Sequence, residues 1–332
     1  MERLMVTLLC IHCIQNNISL AGRIHLYLQI EIGAQDPADL AIMILKYLEV
    51  LRTLQLLLSV QIVCQAVDLT MMSNAFDDQY LGCARQMEQE MAKVLEQEKK
   101  YKPLAIMWYL AEQRWAIVKQ SNIFPPDFKD EYGISLIVYT RESPFPIYQQ
   151  LNRNVSIAGR SRQHYMDRFH FKAIHFYLTR ALQVLGGGCD DGSQAYRGSW
   201  MKYKNVSLEL RFGQFASSSL NRKTAQRFGV NTMFTIFTCF GVNVEAFSDF
   251  MEEEVLIPVA ETFHTIKKSE TLYVLRSSGQ QCSYYNCAYL GGEKRKKPIC
   301  SSAAGLLYTD HRILLILPAL TLTLSILLVS SS

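Results

Sequence analysis

The amino-acid sequence predicts a segregated α+β fold, with helices first and strands later. Three observations carry that reading. Apolar residues recur at helical spacing between residues 84 and 185, the run Gly186-Gly187-Gly188 breaks the pattern, and short β-branched and aromatic stretches then alternate with turn residues. The first helix is predicted over 84–98, rich in Gln, Glu, Met and Lys, with Met87, Met91, Val94 and Leu95 as its apolar stripe. A second, over 104–118, carries Trp108, Leu110 and Trp115. A long amphipathic helix over 161–185 turns Phe169, Phe171, Ile174, Phe176, Tyr177, Leu182 and Leu185 toward a core. Aromatic stripes of this kind are core material, not a cofactor box. Strands are predicted over 194–200, 208–216, 233–240, 254–258, 261–267 and 272–276.

Both ends of the chain read as segments outside this fold. The small residues Ser301-Ser302-Ala303-Ala304-Gly305, a polar spacer through Arg312 and an apolar run from Ile313 to Val329 form the pattern of a glycosylphosphatidylinositol signal, with Ser302 as the attachment residue. A membrane span is the competing reading. The apolar run is shorter than the roughly 20 residues a span needs, and no basic residue follows it. At the other end, Lys46 and Arg52, the apolar stretch 54–63 and Cys64-Gln65-Ala66 form a secretory signal that begins at Met43. Residues 1–42 then read as an upstream extension. The expected division is therefore 1–66 as extension plus signal peptide, 67–302 as one domain and 303–332 as a removed anchor signal.

Secretion changes how the cysteines are read. The chain has nine; Cys10, Cys13 and Cys64 fall in the leader, leaving Cys83, Cys189, Cys239, Cys282, Cys287 and Cys300. An even number in a secreted chain indicates disulfides, although spacing leaves their pairing open. No CxxC or His-rich spacing indicates zinc, so no metal site is expected. Asn154-Val155-Ser156 and Asn205-Val206-Ser207 are N-glycosylation acceptors in a secreted chain, as is Asn17-Ile18-Ser19 if it is retained. A formal charge of +4, part of it in the loop run Lys294-Arg295-Lys296-Lys297, is too mild for a nucleic-acid partner.

Three motifs carry chemistry. Met251-Glu252-Glu253-Glu254-Val255-Leu256-Ile257-Pro258 runs three carboxylates into an apolar segment. Read as a strand, it puts Glu252 and Glu254 on one face and Glu253 on the other. Two carboxylates on one face repel each other, and a fold keeps such a pair for a cation, a metal or a developing positive charge. In Ala195-Tyr196-Arg197-Gly198, the guanidinium can fork onto phosphate oxygens and the glycine admits a ligand close to the backbone. In Arg211-Phe212-Gly213-Gln214-Phe215-Ala216-Ser217-Ser218-Ser219-Leu220, Ser217 and Ser219 share a strand face and can orient a ligand and a neighbouring carboxylate. Each motif alone is an ordinary surface pattern. Their joint order is far more specific.

With these motifs the sequence resembles the vertebrate arginine-specific ecto-ADP-ribosyltransferases. The resemblance spans the mature region, including Asn74-Ala75-Phe76-Asp77-Asp78-Gln79-Tyr80 with Cys83, Ala158-Gly159-Arg160-Ser161-Arg162, the Arg–Ser–Glu triad and Tyr285-Asn286-Cys287. It implies a helical part packed on a mostly antiparallel β core with a cleft for NAD, which is a co-substrate and not a permanently bound cofactor. It implies that Arg197 and Gly198 contact NAD, that Ser217 positions the nicotinamide ribose and supports Glu254, and that Glu254 is catalytic. Glu252 would orient the acceptor guanidinium. Ser218 stands where the family usually has Thr, a change of little expected consequence because that side chain faces away. Phe228 or Phe234 would stack near the nicotinamide. The resemblance also implies the pairs Cys83–Cys287 and Cys189–Cys239, with Cys282 and Cys300 left to pair with each other.

The activity so implied is displacement of nicotinamide from NAD by arginine side chains of acceptor proteins, at the outer leaflet of the plasma membrane. Hydrolysis of NAD by water is the enzymatic alternative, and the retained Glu252 weighs against it. A catalytically silent surface protein is the alternative from another class, and an intact Arg197, Ser217 and Glu254 weighs against that.

Overall fold

The computed structural model describes residues 67–186, 189 and 193–302. The predicted leader and the apolar tail lie outside the described residues, as does Asn17. Among the described residues, no helix is long and apolar enough to cross a membrane.

After a short strand β1 (Val67–Leu69) come six helices: α1 (Ala84–Glu98), α2 (Lys102–Ser121), α3 (Asp130–Thr140), α4 (Ile147–Ala158), α5 (Arg162–Arg168) and α6 (Lys172–Leu185). The rest is a sheet built from β2 (Ser193–Ser199), β4 (Glu209–Leu210), β5 (Ala216–Ser219), β6 (Thr232–Thr238), β7 (Val242–Asn243), β8 (Glu254–Ile257), β9 (Glu261–Lys267), β10 (Leu272–Ser283) and β11 (Ile299–Ser302). The strand order is β4-β9-β10-β6-β2-β5-β8-β7, with β11 beside β10, while β3 (Tyr203–Val206) pairs with β1 in a separate two-stranded sheet. In the main sheet only the β6–β10 pair is parallel. A short helix α7 (Arg222–Gln226) follows β5.

The helices bury their apolar stripes in one core that takes in Val242 and Leu256 from the sheet and Phe215 just before β5; a second core, around Phe212, Phe234, Ile257 and Phe263, lies within the strand half. Strand β8 is buried along its whole length because Leu256 serves the first core and Ile257 the second. That double burial makes its first residue, Glu254, a carboxylate held in a dry place.

The predicted strand over 272–276 runs on to Ser283 as β10, and two other predicted elements differ in kind from the structure. The single helix over 161–185 is two helices, interrupted at Phe169–Phe171. The break follows from a tertiary partner: the buried Glu98 carboxylate on α1 accepts the backbone N–H groups of Lys172 and Ala173 and so caps a new helix there. Ser161 caps the first piece by accepting from the His164 N–H at 3.0 Å. The predicted strand over 208–216 stops at Leu210. Residues 211–215 are irregular, with Gly213 left-handed at φ +68°. Arg211 leaves the ladder because its wholly buried guanidinium pairs with Asp77 at 2.6 Å and donates to the carbonyls of Met71 and Cys282 at 2.9 and 2.6 Å.

That ion pair gives the 74–80 motif a structural role. Asp77 also accepts from the N–H groups of Tyr284 and Tyr285, and Asp78 from those of Tyr80, Cys287 and Ala288. Together they fasten the segment before α1 to the end of β10. Disulfides Cys83–Cys287, Cys189–Cys239 and Cys282–Cys300 add covalent ties to the same region, the last joining directly opposed residues of β10 and β11.

Candidate active site

Strands β2, β5 and β8 are neighbours, and Arg197, Ser217 and Glu254, one from each strand, line a cavity of about 600 Å³. Glu252, Gly198 and Phe228 also line it. The register explains the convergence. Tyr196 stands opposite Ser219, and Ser219 opposite Glu254, so Arg197 lies one residue and Ser217 two residues along their strands from the level of Glu254.

Each side chain is fixed by the chain around it. Arg197 donates through Nη1 to the backbone carbonyl of Ser217 and sits over the Phe212 ring, 5.8 Å from its centre. This leaves its other nitrogens for an anionic ligand. The Ser217 hydroxyl faces the Tyr139 hydroxyl at 3.5 Å and supports the Glu254 carboxylate. Tyr139 is itself held by Asn152, which donates to it at 2.9 Å, and by the Phe215 carbonyl, to which it donates at 3.1 Å. Burial pushes the Tyr139 hydroxyl up to about 12, so it stays a neutral hydrogen-bonding group.

Glu254 is 7 % exposed, and burial pushes its carboxyl up to about 7, assisted by the negative charge of Glu252. The Ser217 hydrogen bond and the Arg197 charge act in the opposite sense. A carboxylate poised between its two protonation states at neutral pH, with a second carboxylate beside it, is a site prepared for positive charge.

The two acids meet by a route other than strand alternation. Strand β8 begins only at Glu254, and Glu253 takes the left-handed conformation at φ +49°. Its side chain turns out to accept from Asn221 Nδ2 at 3.2 Å, while Glu252 and Glu254 on either side of it both reach the cavity. The Glu252 carbonyl accepts from the Ser219 hydroxyl at 2.6 Å, which pins the turn to β5. Ser219 therefore braces the acidic turn through its hydroxyl.

Gly198 also has a different cause from the one expected. A Cβ there would lie 2.2 Å from the Ala225 carbonyl oxygen and 2.3 Å from that of Gly229. The protein's own backbone, at the end of α7 and just beyond it, already makes a close approach that requires glycine. Of the two candidate aromatics, Phe228 lines the cavity and is 36 % exposed, whereas Phe234 is wholly buried in the second core. Ser218 is buried. Tyr139, Trp200, Gln214 and Phe250 line the cavity as well and had no sequence signal. Tyr139 lies on α3, which is buried on every side and so shows no amphipathic period.

The remaining predicted sites lie apart from the cavity. Asn205 is exposed on β3, Asn154 lies within α4 with its amide donating to the Gln150 carbonyl at 2.8 Å, and Ser302 ends β11 opposite Gln280.

A family model described as NAD:arginine ADP-ribosyltransferase matches residues 69–283. The chain is 44% identical over 249 residues to ecto-ADP-ribosyltransferase 5 of Homo sapiens, covering 71% of this chain and 84% of that one. It is 36% identical over 280 residues to the GPI-linked NAD(P)(+)–arginine ADP-ribosyltransferase 1 of Mus musculus, covering 78% and 85% respectively. Among solved structures, the eukaryotic mono-ADP-ribosyltransferase ART2.2 superposes with a TM-score of 0.61 at 37% identity, covering 67% of this chain and 99% of that one. A mutant of that protein in complex with NAD gives the same TM-score, 0.61, at 36% identity with the same coverage, 67% and 99%.

Proposed function

The chain belongs to the NAD:arginine ADP-ribosyltransferase family, and on that premise we propose that its cleft carries out the reaction with Glu254 as the catalytic carboxylate, Arg197 and Ser217 as NAD-holding groups and Glu252 as the residue that orients the acceptor. The protein is an NAD-dependent arginine ADP-ribosyltransferase, with NAD as co-substrate. The observation that supports the residue roles is the convergence of Arg197, Ser217, Glu252 and Glu254 on one cavity.

In the proposed reaction the bond between the nicotinamide nitrogen and ribose C1′ breaks, and nicotinamide leaves with the electron pair. An arginine nitrogen of the acceptor bonds to C1′ and releases its proton. Positive charge grows on the ribose as the bond opens. The ionised Glu254 faces that charge from a dry position, where its attraction is stronger than in water. The charge on Glu254 is disfavoured in the cleft by itself and favoured when a cation develops, so the stabilisation is greater in the transition state than before it. Arg197, lining the same cavity, has the guanidinium donors to fork onto the phosphate oxygens of NAD. Glu252, with a side chain 27% exposed, is open enough to accept paired hydrogen bonds from an incoming guanidinium. Phe228 offers an aromatic face to the nicotinamide end.

The acceptors we propose are arginine side chains of proteins. The domain occupies 67–302, preceded by a leader and followed by an anchor signal. Relatives named as ecto- and GPI-linked enzymes support a cell-surface location, and we take the lipid anchor at Ser302 as its means. Glu254→Gln tests the central assignment. It should abolish both arginine transfer and NAD hydrolysis while NAD still binds, and near wild-type turnover would overturn it.

A further inference from the structure

We propose that Arg227 is a built-in stand-in for the acceptor guanidinium, seated on Glu252 until an acceptor arginine displaces it. Its Nη2 lies 3.8 Å from Glu252 Oε1, with the Arg227 side chain 63% exposed. The inference rests on the reading of Glu252 as the acceptor-orienting carboxylate.

The placement of Arg227 is built into the backbone. The residue directly follows α7, whose first turn is capped by Asn221: its Oδ1 accepts from the N–H groups of Lys223 and Thr224 at 3.0 and 3.5 Å. The same Asn221 donates through Nδ2 to Glu253, and the Leu220 N–H donates to the Glu253 carbonyl at 3.0 Å. At the other end of α7, the Arg227 N–H donates to the Thr224 carbonyl at 3.0 Å, and the carbonyls of Ala225 and Gly229 pack against Gly198 of β2. The helix that bears Arg227 is therefore tied at one end to the acidic turn and at the other to the strand of Arg197. Within that frame Phe228 faces the cavity, and Arg227, one residue earlier, reaches Glu252.

Chemistry and exposure separate this cation from a structural one. The ligand proposed for Glu252 is a guanidinium, and Arg227 supplies a guanidinium. Arg211 shows what a structural arginine looks like here: it is wholly buried and bound to Asp77 and backbone carbonyls. Arg227 is exposed and able to swing away. Arg197, which lines the cavity, is held by the Ser217 carbonyl. An exposed ion pair of this kind is weak, so it competes with an acceptor without blocking it.

The test uses the full chain displayed on cells, labelled NAD and agmatine as a small guanidine acceptor. Arg227→Ala should lower KM for agmatine about two- to fivefold, the range an exposed ion pair supports, with kcat and acceptor-free NAD hydrolysis unchanged. Arg227→Lys keeps the charge and should stay near wild type. An unchanged or raised agmatine KM in Arg227→Ala overturns the inference, as does an Arg227→Lys enzyme that behaves like Arg227→Ala. Glu252→Gln, measured in parallel, separates the two levels. If it transfers to agmatine as well as wild type, the reading of Glu252 fails and the stand-in with it. If it loses transfer while Arg227→Ala has no effect on agmatine KM, only the stand-in fails.

Discussion

Raising the pH from 6 to 8 should increase kcat/KM for NAD cleavage by this protein about tenfold, because Glu254 titrates near pH 7. In the proposed mechanism the ionised carboxylate is the reactive form, so activity rises with the deprotonated fraction. That fraction is about one-tenth one pH unit below the pKa and about nine-tenths one unit above it. A glutamate at its ordinary value of 4.5 would be ionised throughout this window and give a flat profile. The neighbours of Glu254 provide signed controls. Ser217→Ala removes a hydrogen bond that holds the carboxyl down, so the acid limb should move to higher pH. Glu252→Gln removes a negative charge that pushes it up, so the limb should move to lower pH. The assay is initial-rate nicotinamide release at low NAD across pH 5–9, where kcat/KM reports the free enzyme. A flat profile between pH 6 and 8, or two variants that shift in the same direction, would refute the assignment of Glu254 and its electrostatic cause.

Four further outcomes are expected. Because the folded state raises the Glu254 carboxyl to about 7 from 4.5, its contribution to stability is full below about pH 4.5 and is lost as pH rises through about 7; Glu254→Gln should therefore raise the melting temperature at pH 8 more than at pH 5, by up to about 3 kcal/mol in stability at the higher pH. The difference between variant and wild type isolates this group from Glu98 and Glu261, which burial also pushes up, to about 8 and about 7. Arg211→Met strands the buried Asp77 carboxylate and should cost about 3–5 kcal/mol, seen as a large fall in melting temperature with the disulfides intact. Gly198→Ala drives a methyl against two carbonyl oxygens 2.2 and 2.3 Å away, so it should displace the 225–229 backbone and raise KM for NAD, at a stability cost of about 1–3 kcal/mol. A phosphatidylinositol-specific phospholipase should release the protein from intact cells; a tryptic peptide from 313–329 in the surface form would show a retained tail instead.

Much of this protein could be read before its fold was known. Helix α1 spans Ala84–Glu98, the predicted range, because Met87, Met91 and Leu95 all lie on its buried face. Strand β9 spans Glu261–Lys267, also as predicted. Helices α3 and α4 were both missed, α4 although Ile147, Leu151, Val155 and Ala158 recur at helical spacing, and α3 because its burial is nearly complete. Helix α3 buries every residue from Tyr132 to Thr140 and so offers no polar face to set a period. It also carries Tyr139, the cleft residue that gave no signal. The two faulty elements fail for a related reason. Nothing local in 161–185 announces that Glu98 will cap a helix start at Lys172, and nothing local in 208–216 announces that Arg211 will leave its strand for Asp77.

The sequence by itself determined the identity and order of the groups proposed to react: Arg197, then Ser217, then the Glu252–Glu254 pair, set in the strand-forming half of an α+β chain. Side-chain chemistry and the period of apolar residues are local properties, so they survive in a linear reading. Only the tertiary structure decided how those groups meet. The adjacency of β2, β5 and β8 brings them to one cavity, and the left-handed Glu253, held by Asn221 and Leu220, turns both flanking carboxylates toward it. The same contacts made Gly198 a packing residue and set Arg227 against Glu252. These outcomes depend on the desolvation of Glu254 between two cores and on pairings between residues far apart in the chain, and no local pattern encodes either one.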